Sequence, residues 1–382
     1  MIYLDHAATT PLDERVLDAM LPFLRDQYGN ASSVHAAGQR ARRAVDQARA
    51  EVAALIGAEP SEIIFTSGGT EADNLAVAGL PAARRDGRQG VVTSAIEHHA
   101  VLHACEAAAR RGAPVRIVAP DGQGRVAPEA VRAAVDSETA LVSVMAANNE
   151  IGTLEPVREI AAAAHAAGAL AHSDAVQAAG QIPIDVRQTD LDAMTLTAHK
   201  FYGPKGIGAL YLRRGIAIDA QMLGGGQERG RRAGTENVAA IVGFGAAARL
   251  ALDELAARRE RIGALRDRLW RGIADVSGAE RLGDPDCCLP GHLLVRFKGI
   301  DGEVLVLNLD MQGVCASMGS ACSSGSLEAS HVLAAIGLRP EAAREGLRLT
   351  VGRQNTEQEI DEAVRILRRI VERQRELAVS HG

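Results

Sequence analysis

The chain has 382 residues, 47% of them apolar, with 48 acidic residues against 42 basic ones and a net charge of −6. That length buries a substantial core and suggests about two domains. With no long basic block and no apolar run long enough to cross a bilayer, the composition argues against binding along a nucleic-acid backbone and against a membrane span.

The N-terminus, MIYLDHAATTPLDERV, lacks a basic stretch followed by an apolar one, so the expected location is the cytoplasm. From there short β-branched runs alternate with alanine- and arginine-rich helical stretches. EIIFTSG precedes TEADNLAVAGL, GVVTSA precedes HHAVLHACEAAARR, and ALVSVMAAN precedes VREIAAAAHAAG. LAHSDA and AMTLTAHK continue the strand series. This alternation predicts an α/β fold with a mainly parallel sheet covered on both faces, and ligand sites at the carboxyl ends of its strands. Residues 246–277 carry a helical period with few breakers and are expected to link this domain to a smaller α+β one. The expected division is an N-terminal segment 1–14, a large domain 15–255 and a small domain 256–382.

The candidate functional residues fall where strands should end. Thr66-Ser67-Gly68-Gly69-Thr70-Glu71 follows a strand and opens a helix. Its glycines permit close backbone approach, and its free N–H groups favour an anion, which makes Gly69 and Thr70 a candidate phosphate cradle; equally, Thr70 could simply cap the helix. His98 has a flat imidazole able to stack on a ring and move protons, or a plain structural place. Asn149 could donate to a ligand oxygen or cap a turn. Asp174 would need a cationic partner if buried, such as a protonated pyridine nitrogen, or it caps the helix that follows. Lys200 is one of only three lysines, with Lys205 and Lys298. Arginine stays protonated, whereas a lysine in a partly desolvated pocket can lose its proton and attack a carbonyl. The competing reading is a solvated lysine at a strand end.

Five cysteines, odd in number and without a C-x-x-C pair, suggest neither a disulfide framework nor a zinc site. Cys322 stands apart, in GSACSSGS, a run of small residues with little apolar surface to bury. It is expected to be an accessible thiol on a mobile loop. Cys315, by contrast, reads as a small apolar filler. Arg348, in GLRLTVG, could hold a carboxylate through two parallel hydrogen bonds or be an ordinary strand arginine.

Taken in order and spacing, YLDHAATTP, GNASSVHAAG, FTSGGTEADN, EHHAVL, NNEIG, HSDAVQ, TAHKFYGPKGIGALY, GGGQERGRRAGTEN and GSACSSGS resemble the cysteine desulfurases of the NifS/IscS type. These are class-V aminotransferase relatives of fold type I. The resemblance covers nearly the whole chain and implies pyridoxal 5'-phosphate as cofactor. It implies that Lys200 anchors the cofactor aldehyde as a Schiff base, that Asp174 meets the pyridine nitrogen, that His98 stacks on the ring and assists proton transfer, and that Gln177 bonds the ring hydroxyl. Gly69, Thr70, Thr197 and His199 would bind the phosphate, and Thr235 would reach the phosphate of a neighbouring subunit, so a homodimer is implied. Asn149 and Arg348, with Asn30 as helper, would bind the substrate carboxylate side. Cys322 would take sulfur from L-cysteine as a persulfide, leave L-alanine, and pass the sulfur to an acceptor protein, a scaffold or sulfurtransferase, for iron-sulfur cluster assembly or tRNA thiolation. Gly69 and Thr197 stand where alanine and serine are commoner, and the short C-terminus leaves scaffold docking open. The alternatives are another enzyme of the same fold, an aminotransferase or selenocysteine lyase, or a non-catalytic sulfur carrier using Cys322 alone.

Overall fold

Seven apolar runs pair edge to edge into one sheet, in the order Ile63–Thr66, Gly208–Leu212, Ala193–Thr197, Leu170–Asp174, Thr139–Ser143, Gly90–Ser94 and Val115–Val118. Only Gly208–Leu212 runs against its neighbours; the other pairs are parallel. The strands are short and rich in β-branched residues, and Thr139–Ser143, Ala193–Thr197 and Gly208–Leu212 are buried at every position. Burial on both faces demands helices on both. Helices Gly69–Ala82 and His99–Arg110 pack with Ile64, Leu141 and Leu210 on one face. Helices Ala36–Leu55, Val157–Ala166 and the first half of Val238–Ile273 cover the other. This is the mainly parallel α/β sheet that the sequence predicts. The computed structural model describes residues 1–319 and 329–380, and Cys322 lies outside them.

A second sheet is antiparallel, ordered Ser317–Met318, Gly346–Thr350, His292–Phe297 and Ala279–Leu282. It shares a core with Ile262, Leu265 and Leu269, from the later part of the long helix, and with Leu367 and Val371 from the last helix, Glu357–Ser380. The linking helix therefore starts earlier than its periodicity suggested, at Val238, because the Asn237 side chain accepts the Ala240 N–H at 3.2 Å and caps it there. One half of this helix packs on each core. We propose that the boundary between 255 and 256 falls within it. Among the described residues no helix is long and apolar enough to cross a membrane.

The first ten residues join the two sheets. Ile2–Tyr3 pairs in parallel with Val314–Cys315, and Leu4 is buried in the smaller core. Farther on, the Ala7 N–H donates to Thr350 Oγ1 at 2.9 Å and Thr10 donates both N–H and hydroxyl to the His199 carbonyl at 2.9 Å. His199 immediately precedes Lys200, so the N-terminal segment fixes the turn that carries the lysine.

Phe244, fully buried on the long helix, packs with ring centroids 6.2 Å from Phe65 and 5.8 Å from Phe201, the residue after Lys200. Phe244→Ala leaves a cavity at that junction and is expected to cost about 3–5 kcal/mol, read as a lower urea midpoint with unchanged slope. A midpoint unmoved by the substitution would show that this contact does not support the sheet.

Candidate active site

The strands ending at Thr66, Ser94, Ser143, Asp174 and Thr197 bring their carboxyl ends to one edge of the large sheet, and the segments that follow enclose a cavity of about 420 Å³. Such an edge is where open α/β sheets bind ligands. Lys200 closes the short helical turn Ala198–Lys200 directly after its strand. Its Nζ donates to the carbonyls of Ala7 at 2.5 Å and Ala8 at 2.8 Å, so the amine lines the cavity beneath the N-terminal segment.

Asp174, 4% exposed at the end of Leu170–Asp174, lines the same cavity. Its Oδ1 accepts the Val176 N–H at 2.8 Å. Burial pushes the carboxyl up to about 6, with the Val176 N–H and the Lys200 cation pulling the other way. Two residues on, Gln177 lines the cavity too and its amide donates to the Ala7 carbonyl at 2.9 Å.

His98 caps the helix His99–Arg110. Its Nδ1 accepts the Ala100 N–H at 3.1 Å, which leaves a neutral ring's proton on Nε2. Burial, then the Lys200 cation and the neighbouring histidines, lower it to about 4, so the ring is neutral at physiological pH.

One end of the cavity suits an anion. Gly69 and Thr70 begin the helix Gly69–Ala82, whose first N–H groups have no partner within the helix. Thr197 and His199 line this end as well, and a connected recess adds Lys205. A Cβ on Gly69 would sit 2.8 Å from Val176 Cγ2, and one on Gly208 would sit 2.6 Å from the backbone of Gly68. Glycine at both positions lets the turn lie against the sheet. The Thr197 hydroxyl donates to the Ile207 carbonyl at 3.1 Å, and the His199 ring lies 3.2 Å from the Thr9 hydroxyl.

At the other end Arg348, 1% exposed, donates from Nη1 to the Asn149 carbonyl at 2.8 Å and from Nη2 to Asp5 at 2.9 Å. Its Nε–H has no partner. Asn149 and Glu150 line the cavity beside it. Glu150 is buried, its Oε2 accepts the Ser330 hydroxyl at 2.6 Å, and burial pushes its carboxyl up to about 7.

Two candidates from the sequence are not brought to this cavity. Thr235 lines a separate recess with Phe65, Ser67 and Asn237, and Asn30 is an exposed residue whose side chain accepts the Ser32 N–H at 2.8 Å. Cys322 lies outside the described residues. Sequence reasoning missed Lys205, Glu150, Glu97 and Asp73. Lys205 carried a signal, as one of three lysines, while the acids carried none because their burial is a tertiary property.

The polar groups match a phosphorylated pyridine aldehyde: a helix N-terminus with Lys205 for the phosphate, an amine for the aldehyde, a buried carboxyl for a protonated ring nitrogen. Residues 2–363 match the model of the family described as Aminotransferase class-V. The chain belongs to the class-V aminotransferase family. It is 44% identical, over 377 residues covering 99% of this chain and 93% of the relative, to a protein of Methanosarcina thermophila named cysteine desulfurase IscS. Among solved structures, one titled NifS-like protein superposes with a TM-score of 0.91 at 36% identity, covering 97% of this chain and 99% of that one. Another, titled SspA in complex with cysteine, does so with a TM-score of 0.82 at 34% identity, covering 92% and 99%. Membership bears out the family resemblance and makes pyridoxal phosphate the cofactor, carried on fold type I.

Glu97, fully buried just before His98, accepts the Ser94 hydroxyl at 2.5 Å and the Met145 N–H at 3.0 Å on Oε1, and its Oε2 has no hydrogen-bond partner among the described residues. Burial raises it from 4.5 to about 8. A folded-state value above the unfolded one means that the stabilisation it carries is complete below the unfolded value and is lost as pH rises through about 8. Glu97→Gln cannot ionise. Its urea midpoint should therefore fall less than that of the unchanged protein between about pH 6 and about pH 9, and an identical fall in both would contradict a neutral Glu97.

Proposed function

We propose that this chain is a pyridoxal-phosphate-dependent cysteine desulfurase that converts L-cysteine to L-alanine and hands the sulfur to Cys322. The observation that carries this reading is one cavity lined by an amine, a buried carboxyl, a neutral imidazole and a buried guanidinium, in a chain whose relatives at full length are named for that activity. When bound, the cofactor supplies an aldehyde that condenses with amines and a ring that withdraws electrons from the substrate Cα.

The rest falls to side chains of this protein. Asp174 holds a proton on the ring nitrogen, Gln177 bonds the ring hydroxyl, and Gly69, Thr70, Thr197 and His199, with Lys205 near them, receive the phosphate. Arg348, through its unpartnered Nε–H, and Asn149 take the substrate carboxylate. Lys200 would anchor the cofactor aldehyde, and its amine would move the substrate Cα proton, with the neutral His98 as second proton carrier. The Cys322 thiolate attacks the substrate sulfur, the carbon–sulfur bond breaks with its electron pair leaving on carbon, and that carbon takes a proton to become alanine. Cys322 is left as the persulfide.

Thr235, away from this chain's own cavity, supports a homodimer in which it serves the partner's phosphate. A sulfur-acceptor protein, a scaffold or sulfurtransferase, completes the cycle in the cytoplasm, toward iron-sulfur cluster assembly or tRNA thiolation. An aminotransferase would use Lys200 and Asp174 equally but needs no thiol.

Incubating the holoenzyme with L-cysteine and a thiol reductant, and measuring alanine and sulfide, tests the activity. Cys322→Ala should keep the visible cofactor band and lose sulfide release to the background rate. Lys200→Ala should lose the wild-type band and the activity together. Full sulfide release by Cys322→Ala would sink the assignment of the sulfur-accepting thiol.

A further inference from the structure

One carboxyl lining the cavity has no task in that scheme. Asp73 lies in the helix that begins at the proposed phosphate cradle, is 1% exposed, and has an Oδ1 with no hydrogen-bond partner among the described residues. Among the described residues the one basic group within ion-pair range is His172 Nε2, at 3.9 Å. His172 is itself buried, with Nδ1 2.9 Å from the Ser143 hydroxyl and Nε2 3.0 Å from the Thr195 hydroxyl. A neutral ring protonated on Nε2 satisfies both contacts: Ser143 donates to Nδ1, Nε2–H donates to Thr195, and the Thr195 hydroxyl hydrogen is then directed at Asp73. This chain of donors ends at Asp73 and brings it no positive charge.

The other ionisable groups facing Asp73 are acids, Asp174 and Glu97, both buried. An unpaired anion buried among acids is costly, and two carboxyls sharing one dry site do not both ionise. The surroundings of the two differ. Asp174 has the Val176 N–H and the field of Lys200, whereas Asp73 has a hydroxyl alone.

We propose that Asp73, buried with one oxygen unmet by any described residue and no cation to balance it, is held as the neutral acid, so that Asp174 alone presents negative charge to the pyridine nitrogen of the cofactor. Burial and the Asp174 charge push Asp73 well above the usual carboxylate range, whereas Asp174 rises only to about 6, which agrees in direction. Asp73 is on this account a positioning residue. It keeps the negative charge on the one carboxylate able to hold a protonated ring, and a proton on Asp174 instead would leave the ring nitrogen without a counter-ion. The inference rests on the reading that this cavity holds pyridoxal phosphate.

Because asparagine imitates a neutral acid and not a carboxylate, the comparison of two variants tests the protonation of Asp73. Apoprotein is titrated with pyridoxal phosphate and followed by visible absorbance and quenching of intrinsic fluorescence, neither of which requires turnover. Asp73→Ala, which leaves the Thr195 hydroxyl unmet, should weaken cofactor affinity by about tenfold, and Asp73→Asn should recover most of that loss. Asp73→Asn binding as weakly as Asp73→Ala overturns the neutral acid and favours an Asp73–His172 ion pair. A wild-type chain that binds no pyridoxal phosphate overturns the cofactor reading beneath it. A second measurement needs no variant. Carbon-13 labelling of aspartate carboxyls separates them in the infrared from Glu97, Glu150 and Glu155, and one protonated aspartate band should persist at neutral pH in the holoenzyme. Absence of any such band overturns the proposal.

Discussion

The ammonium of Lys200 on the carbonyls of Ala7 and Ala8 is the contact through which the rest of the cavity is organised. Those carbonyls belong to a segment that is also held at Leu4 by the smaller core, at Asp5 by Arg348 and at Thr10 by the His199 carbonyl. The Ala7 carbonyl accepts in addition from Gln177. A strap of ten residues therefore touches the proposed cofactor anchor, the proposed ring-hydroxyl ligand, the proposed phosphate end and the arginine proposed for the substrate. Each partner lies more than 160 residues away along the chain, so ordering the strap is among the costliest loop closures in the fold. Its return is that the smaller sheet, which supplies Arg348, cannot shift without disturbing the strand end that supplies Lys200.

A second constraint follows from where the acids are. Asp73, Glu97, Glu150, Glu155 and Asp174 are all buried, and all five are raised chiefly by burial. For Asp73, Glu97, Glu150 and Glu155 burial favours the protonated form, whereas Asp174, raised only to about 6 beside Lys200, keeps its charge at neutral pH. The histidines respond in the opposite sense, with His98 and His199 lowered to about 4 and His172 and His292 to about 3. Both shifts have the same origin, the low dielectric of the interior, and both remove charge. What remains charged stands out. In such a medium the field between Lys200 and Asp174 is weakly screened, and fixed charges stabilise charge developing on a bound ring more than they would in water.

The elements most legible in the sequence were those whose signal is local. Strand and helix alternation, the glycines of the cradle and the lone amine of Lys200 each express a short-range rule, and the large sheet follows from them. The start of the long helix was less legible because a cap at Asn237, not hydrophobic period, sets it. Asp73 was harder still: within TEADN it reads as a helix-surface acid, and its burial appears only once the helix packs on Leu170–Asp174 and Ala193–Thr197. Thr235, which the resemblance assigns to a neighbouring subunit's phosphate, and Asn30, which it assigns to the substrate carboxylate side, both lie at other surfaces of this single chain.

The cavity itself does not choose between transamination and sulfur transfer, because amine, carboxylate and phosphate cradle serve either. On the proposed reading the choice rests with Cys322, which lies outside the described residues, and the described residues on both sides of its segment meet at one buried acid. Ser330 donates to Glu150 Oε2 at 2.6 Å, and Gly319 approaches so closely that a Cβ there would lie 2.6 Å from the same oxygen. Glu150 follows Asn149, whose carbonyl accepts from Arg348. The chain thus leaves at Gly319 and returns by Ser330 beside the groups that would hold a substrate carboxylate, and Cys322 is three residues along from that departure. A side chain at 319 would have to displace that carboxyl. The family's common cofactor chemistry and this chain's own sulfur chemistry are in this way joined at Glu150, a residue that touches the segment ends, lines the cavity, and is raised to about 7, so that its proton is itself at issue near neutral pH.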